Sequence, residues 1–116
     1  MEKQLEIIIA DDHPIFRNGL KQIIETDKNI IIKGECDNGL KAFEMIEEHS
    51  PDIALLDIDM PKMTGLDVLR KLKDSKTKII FLTMYAEEDI FDEAMNLGVK
   101  GYVLKDSAVN DIIKCI

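Results

Sequence analysis

Five short apolar runs, rich in isoleucine, leucine and valine, recur at residues 5–10, 30–32, 53–56, 79–82 and 101–104, and a segment of helical periodicity follows each one. The runs are continuous rather than alternating, which suits strands buried on both faces of a parallel sheet. Parallel strands need long crossovers, and the intervening segments supply them. Pro14 sits in the first turn of a helix with a Phe16, Leu20, Ile23, Ile24 stripe. Asn38 caps a second, whose turns are marked by Leu40, Phe43 and Ile46 or Glu47. Leu66, Leu69 and Leu72 stripe a third after Gly65. Glu87, Glu88 and Asp89 open a fourth that packs Ile90, Phe91, Ala94 and Leu97 and stops at Gly98. Ser107 caps a fifth bearing Val109, Ile112, Ile113 and Ile116. The expected class is α/β, with right-handed crossovers and helices on both faces of a five-stranded sheet.

A chain of 116 residues holds one domain, large enough to bury a core without disulfides or a structural metal. Cys36 and Cys115 stand far apart, with no metal-ligand spacing, and are expected as reduced, buried or half-buried thiols. A net charge of -8 argues against direct nucleic-acid binding, which needs a concentrated basic surface. The basic cluster Lys71, Lys73, Lys76 and Lys78 reads as a solvated face. No run approaches the ~18 residues of a membrane span, and no signal peptide opens the chain, so a cytoplasmic protein is expected.

The chemistry gathers where the strands end. Asp11 and Asp12 follow the first run and Asp57 follows the third. In the flavodoxin-like order 2-1-3-4-5 those two strands lie side by side at the topological switch point, so three acids meet at one edge. Neighbouring like charges are costly unless a cation or a proton relieves them. Thr83 and Lys105 follow the fourth and fifth runs and add a hydroxyl donor and an ammonium at that edge. An anionic phosphoryl group needs both.

The segments IIIADDHPIFRNGL, LLDIDMPKMTGLDVLRKL, IIFLTM and GVKGYVLKDSA, in this order, resemble the receiver domain of bacterial two-component response regulators over essentially all of residues 1–116. The DDHP opening, the MPKMTG turn and the KGYVLKD ending are most similar to the LuxR/NarL-type subgroup. The resemblance implies a signalling switch rather than a conventional enzyme, with Mg2+-dependent self-phosphorylation and slow autodephosphorylation. By it, Asp57 is the phosphoacceptor. Asp11, Asp12, Asp57 and the main-chain carbonyl of Asp59 hold Mg2+ (or Mn2+), Lys105 and Thr83 contact the phosphoryl oxygens, and Tyr102 is the switch aromatic. It further implies a sensor histidine kinase as partner, an output surface on the fourth helix, fifth strand and fifth helix, and a helix-turn-helix DNA-binding output domain that this chain lacks. Whether phosphorylation drives homodimer formation or frees an attached domain is left open.

Some residues stand outside this pattern. Met84 occupies a place where many receivers have a small residue. Asp59 and Tyr85 hold positions that help set acyl-phosphate lifetime in receivers. His13 is expected to face a partner or cap a helix rather than bind Mg2+, which prefers oxygen. His49 reads as a helix-end residue, and Ile15 as exposed beside the first helix's stripe, where receivers meet their kinase. Two rivals come from other classes. Asp57-Ile58-Asp59 mimics the nucleophile loop of haloacid dehalogenase-like phosphatases, but Pro61 replaces the usual Thr or Val and Asp11-Asp12 goes unexplained. A pseudo-receiver that docks partners without phosphorylation commonly loses an acid, the acceptor or the lysine, all present here. A flavin-binding flavodoxin would need a Thr/Ser/Gly-rich phosphate loop where Pro14 and Ile15 stand.

Overall fold

Residues 4–72, 75–84, 87–105 and 112 are described by a computed structural model. Strands and helices alternate: β1 (Leu5–Ala10), α1 (Pro14–Glu25), β2 (Ile30–Cys36), α2 (Gly39–His49), β3 (Ile53–Asp57), α3 (Gly65–Lys71), β4 (Lys78–Thr83), α4 (Glu88–Asn96) and β5 (Gly101–Leu104). All strand pairings are parallel, in the order β2-β1-β3-β4-β5. This is the flavodoxin-like, doubly wound arrangement expected from the five runs.

Alternate strand residues point to opposite faces, which divides the core in two. Ile7, Ile9, Leu55, Ile80 and Leu82 pack with Leu20 and Ile24 of α1. Ile8, Ala10, Ala54, Leu56, Ile79 and Phe81 pack on the other face with residues of α2, α3 and α4. Ile112 is wholly buried in the α1 cluster. The remaining residues expected in a fifth helix, Ser107, Val109, Ile113 and Ile116, lie outside the described residues, as do Tyr85, Lys73 and Cys115. Cys36 is buried and free, and burial pushes its thiol up to about 11, which leaves it protonated and unreactive.

Register sets the functional edge. Ala10 pairs with Leu56, so Asp11 and Asp57 come next at the same level on adjacent strands. Asp57 pairs with Leu82, and Thr83, the last residue of β4, pairs with Leu104, immediately before Lys105.

Local differences from the sequence expectation have physical causes. β2 continues past residue 32 to Cys36, because a register shift between Ile7 and Ile8 skips Lys33 and lets Gly34, Glu35 and Cys36 pair with the end of β1. A polar continuation is tolerated on an edge strand. Leu40, expected to mark a turn of α2, and Phe91, expected to pack in α4, are 42% and 40% exposed, while Ala94 is buried as expected and Ala42 takes the close position in α2. In α3, Val68 is buried and Leu66 only half-buried. That helix also starts on a capping box not read from the sequence, with Thr64 accepting from the Asp67 N–H and Asp67 from the Thr64 N–H. Asn38 caps α2 as expected, accepting from the Lys41 N–H, and Gly98 ends α4 at φ 89°.

Candidate functional site: an acid pocket at the carboxyl edge

Asp57 ends β3 with only 3% of its surface exposed, and Asp11 beside it is fully buried. Each carboxylate oxygen of Asp57 has a different partner: the Asp59 N–H donates to Oδ1 at 3.1 Å, and Lys105 Nζ donates to Oδ2 at 2.9 Å. Lys105 also lies 2.9 Å from Asp11 Oδ2. That second contact is an ion pair without hydrogen-bond angles, and Asp11 Oδ2 has no hydrogen-bond partner. The Lys105 ammonium sits 4.9 Å above the Phe16 ring of α1.

Burial pushes the Asp57 carboxyl up, and the Asp11 charge adds to this; the Lys105 hydrogen bond and charge oppose both, leaving it at about 6 against an ordinary 3.8. Burial works against the Lys105 charge, but its close pairing with Asp11 and Asp57 outweighs it and raises the ammonium. The pocket therefore holds more negative charge than one lysine neutralises.

Other residues support it. Thr83 is buried at the end of β4 and its hydroxyl bonds the Tyr102 hydroxyl. Burial is also the main reason that the Tyr102 phenol is raised, and its ring meets Phe91 of α4 edge-on at 5.1 Å and 77°. Thr83, Tyr102 and Phe91 thus form a chain of contacts from β4 through β5 to α4. Met84 is 56% exposed and Ile15 is 90% exposed, the latter as the sequence suggested. Asp59 is exposed, and its carboxylate is not among the groups gathered at the pocket.

Two participants were missed from sequence. His13 is the N-cap residue of α1 but makes no side-chain cap bond. Its Nδ1 instead lies 3.1 Å from Asp11 Oδ1, 3.2 Å from Asp12 Oδ1 and 3.6 Å from Asp57 Oδ2. The expectation of a capping side chain is corrected accordingly, since the ring is drawn over a concentration of negative charge while remaining half exposed. Asp11, Asp12, His13 and Asp57 each offer one ligand atom, all within 4.8 Å of one another. Arg17, one turn on, donates to the Asp11 carbonyl at 2.6 Å while its Nε bonds Glu35 of β2 at 3.0 Å. It ties the acid loop to the edge strand. Its signal in the sequence is only the spacing of four from His13, whose carbonyl accepts the Arg17 N–H.

A cleft of about 1160 Å³ opens at the opposite edge of the sheet, where Arg70, Lys71, Lys76, Lys78 and Lys100 line it with Glu47 and Asp52. It shares no residue with the acid pocket. His49 lies towards that edge, in the last turn of α2.

Residues 7–116 match the response regulator receiver domain family, and the chain belongs to it. Within the family its similarity runs to the NarL and LuxR types. It is 43% identical over 104 residues to the transcriptional regulatory protein YdfI of Bacillus subtilis, covering 89% of this chain and 49% of that protein. It is 38% identical over 113 residues to the nitrate/nitrite response regulator NarL of Escherichia coli K12, covering 95% and 52%. The chain therefore spans about half the length of the curated relatives it matches. The solved receiver domain of NarL from Mycobacterium tuberculosis superposes with a TM-score of 0.92 at 33% identity, over 97% of this chain and 92% of that one. A DNA-binding response regulator of the LuxR family from Staphylococcus aureus gives 0.90 at 34%, over 96% and 94%. Domains of this family are signalling modules rather than conventional enzymes. The dehalogenase-like alternative finds no support in the fold or in these relatives.

Proposed function

We propose that this domain is a phosphorylation-driven switch that accepts a phosphoryl group on Asp57 from a histidine kinase. One observation carries the assignment: a buried strand-end carboxylate, Asp57, holds an ammonium on one oxygen and stands beside a second buried acid, Asp11, that shares the same ammonium. The donors are oxygen-rich and anionic, which fits a hard divalent cation, Mg2+ or Mn2+, held by Asp11, Asp12 and Asp57 with the Asp59 carbonyl as a further ligand. When bound, such an ion screens the donor's charge and orients the phosphoryl group.

The protein's own groups do the rest. Asp57 attacks phosphorus through a carboxylate oxygen, an O–P bond forms, and the P–N bond of the phosphohistidine breaks with its electron pair going to the imidazole. Lys105, already paired with Asp57 Oδ2, moves its charge to a phosphoryl oxygen, and Thr83 donates its hydroxyl to another. Each is a charge-assisted bond that strengthens as the new charge arrives. Thr83 then leaves Tyr102, which together with Phe91 passes the change to α4. A coupling of this kind is typically worth about 1–3 kcal/mol, enough to shift a population. The output is a DNA-binding regulator in the full-length protein, in the cytoplasm, by likeness to the LuxR- and NarL-type relatives; phosphorylation-dependent dimerisation belongs to the same proposal.

Acetyl phosphate with Mg2+ is expected to label the domain once, as a hydroxylamine-labile acyl phosphate measured by intact mass. Labelling that persists in Asp57→Ala would remove the acceptor assignment and favour a different chemistry.

A further inference from the structure

We infer that His13 Nδ1 is a protein ligand to the divalent ion of the acid pocket, and that it biases this pocket toward first-row transition ions, in the series from Mn2+ to Zn2+, over Mg2+. The inference rests on the metal-binding part of the proposed function and adds a nitrogen to an otherwise all-oxygen donor set.

The argument begins with contacts that cannot all be favourable. His13 Nδ1 lies 3.1 Å and 3.2 Å from oxygens of Asp11 and Asp12, and 2.9 Å from the Lys105 ammonium. If Nδ1 accepts from Lys105, its lone pair also faces two carboxylates. If it carries a proton, it meets the ammonium donor to donor. One contact opposes like with like in either tautomer. A cation in place of the ammonium removes the conflict, since the nitrogen lone pair and the carboxylate oxygens are then all donors to one centre.

Two further observations point to a ligand. Asp11 is fully buried, and its Oδ2 faces only the Lys105 ammonium at 2.9 Å, an ion pair without hydrogen-bond angles, so a single ammonium balances a cluster of acids. His13 is held by its own backbone: its N–H donates to Asp11 Oδ1 at 2.8 Å and its carbonyl accepts from Arg17 at 2.9 Å. The ring starts from a fixed point, remains half exposed, and reaches the pocket without being buried. Imidazole nitrogen binds ions of the Mn2+ to Zn2+ series well, whereas Mg2+ keeps to oxygen and water. A neutral donor that Mg2+ ignores therefore changes which ion is preferred.

The test uses the unphosphorylated domain and the metal salts alone. Calorimetric titration with Mg2+ and with Co2+ is expected to show a Co2+ preference in the wild type. In His13→Ala and His13→Gln the Co2+ affinity should fall by roughly 10-fold or more, a scale set by lost outer partners of metal sites, while Mg2+ affinity stays within about twofold of wild type, since the oxygen donors are untouched. Pulsed EPR of bound Mn2+ should show the ¹⁴N modulation of one imidazole in the wild type and none in His13→Ala. His49 is the only other histidine and sits at the far end of α2. An unchanged Co2+/Mg2+ ratio in both variants, or no ¹⁴N signal in the wild type, overturns the inference and leaves the Asp57 assignment standing. Failure of the wild type to bind either ion overturns both.

Discussion

Asp57 is asked to be both buried and ionised, and the fold meets that demand only in part. Its carboxyl is pushed up to about 6, so the folded state holds the proton more tightly than the unfolded chain, where the ordinary value is 3.8. A raised carboxyl contributes stability that is complete below the unfolded value and is lost as pH rises through the folded one. In EDTA, the domain is therefore expected to lose stability between pH 4 and pH 6–7. Asp57→Asn should flatten that slope and stabilise the metal-free domain at pH 7 by about 1–3 kcal/mol. Urea midpoints across the pH range check this. An Asn variant that keeps the wild-type slope would assign the titration to another group. A residue that weakens its own fold in this way is poised for a counter-charge, which is what an acceptor beside a cation requires.

Among the elements, α3 is the one most tightly coupled to the acceptor, through Gly65. A Cβ there would lie 2.9 Å from the Asp57 carbonyl and 3.0 Å from Ile58 Cα, both backbone atoms that cannot turn aside. Gly65→Ala is expected to destabilise by roughly 1–3 kcal/mol, as overpacking does, and to weaken Mg2+ binding because Asp57 is displaced. Gly19→Ala is the internal contrast. Nothing lies within 4 Å of a Cβ at that position in α1, so the change should stabilise by up to ~1 kcal/mol through helix propensity. Thermal melts and calorimetry separate the two; equal effects would mean that α3 does not bear on the acceptor. The elements also show what is legible in a sequence. Strands β3 and β4 are plain because burial on both faces leaves an almost unbroken apolar run. The end of β2 is hidden because Lys33, Gly34 and Glu35 look like a loop when only one edge is paired. Helix stripes mislead at Leu40 and Phe91, since close approach to a sheet selects alanine over bulk. The strand-end residues Asp11, Asp57, Thr83 and Lys105 can be placed from topology alone. The ring of His13 and the guanidinium of Arg17 cannot, because their positions depend on rotamers and, for Arg17, on Glu35 in the unforeseen part of β2.

Across the whole molecule, the acid pocket joins β1, β3, β4 and β5 through their carboxyl ends, and an ion held by the acids after β1 and β3 ties together the two strands at the centre of the fold. Mg2+ at a hundredfold excess over its Kd is expected to add about 2.7 kcal/mol, on the order of 10 °C in Tm for a domain of this size. The gain should vanish in Asp11→Asn. A melting temperature indifferent to Mg2+ in the wild type would remove the divalent ion from the proposal. The same calorimetric scan reports cooperativity, and a single transition is expected for both forms, because the two core clusters share every central strand.

The register that places Lys105 beside Asp57 has a consequence in time. A ribosome makes Asp11 and Asp12 first, Asp57 some forty-five residues later and Lys105 after every other group of the pocket. Until β5 docks on β4, closing β1 against β3 brings buried carboxylates together with no ammonium between them, an arrangement that like-charge repulsion disfavours. Completion of the sheet and completion of the charge balance are one event. A nascent or clipped chain without β5 should hold its acids apart, so the domain becomes able to accept a phosphoryl group only when its last strand is in place.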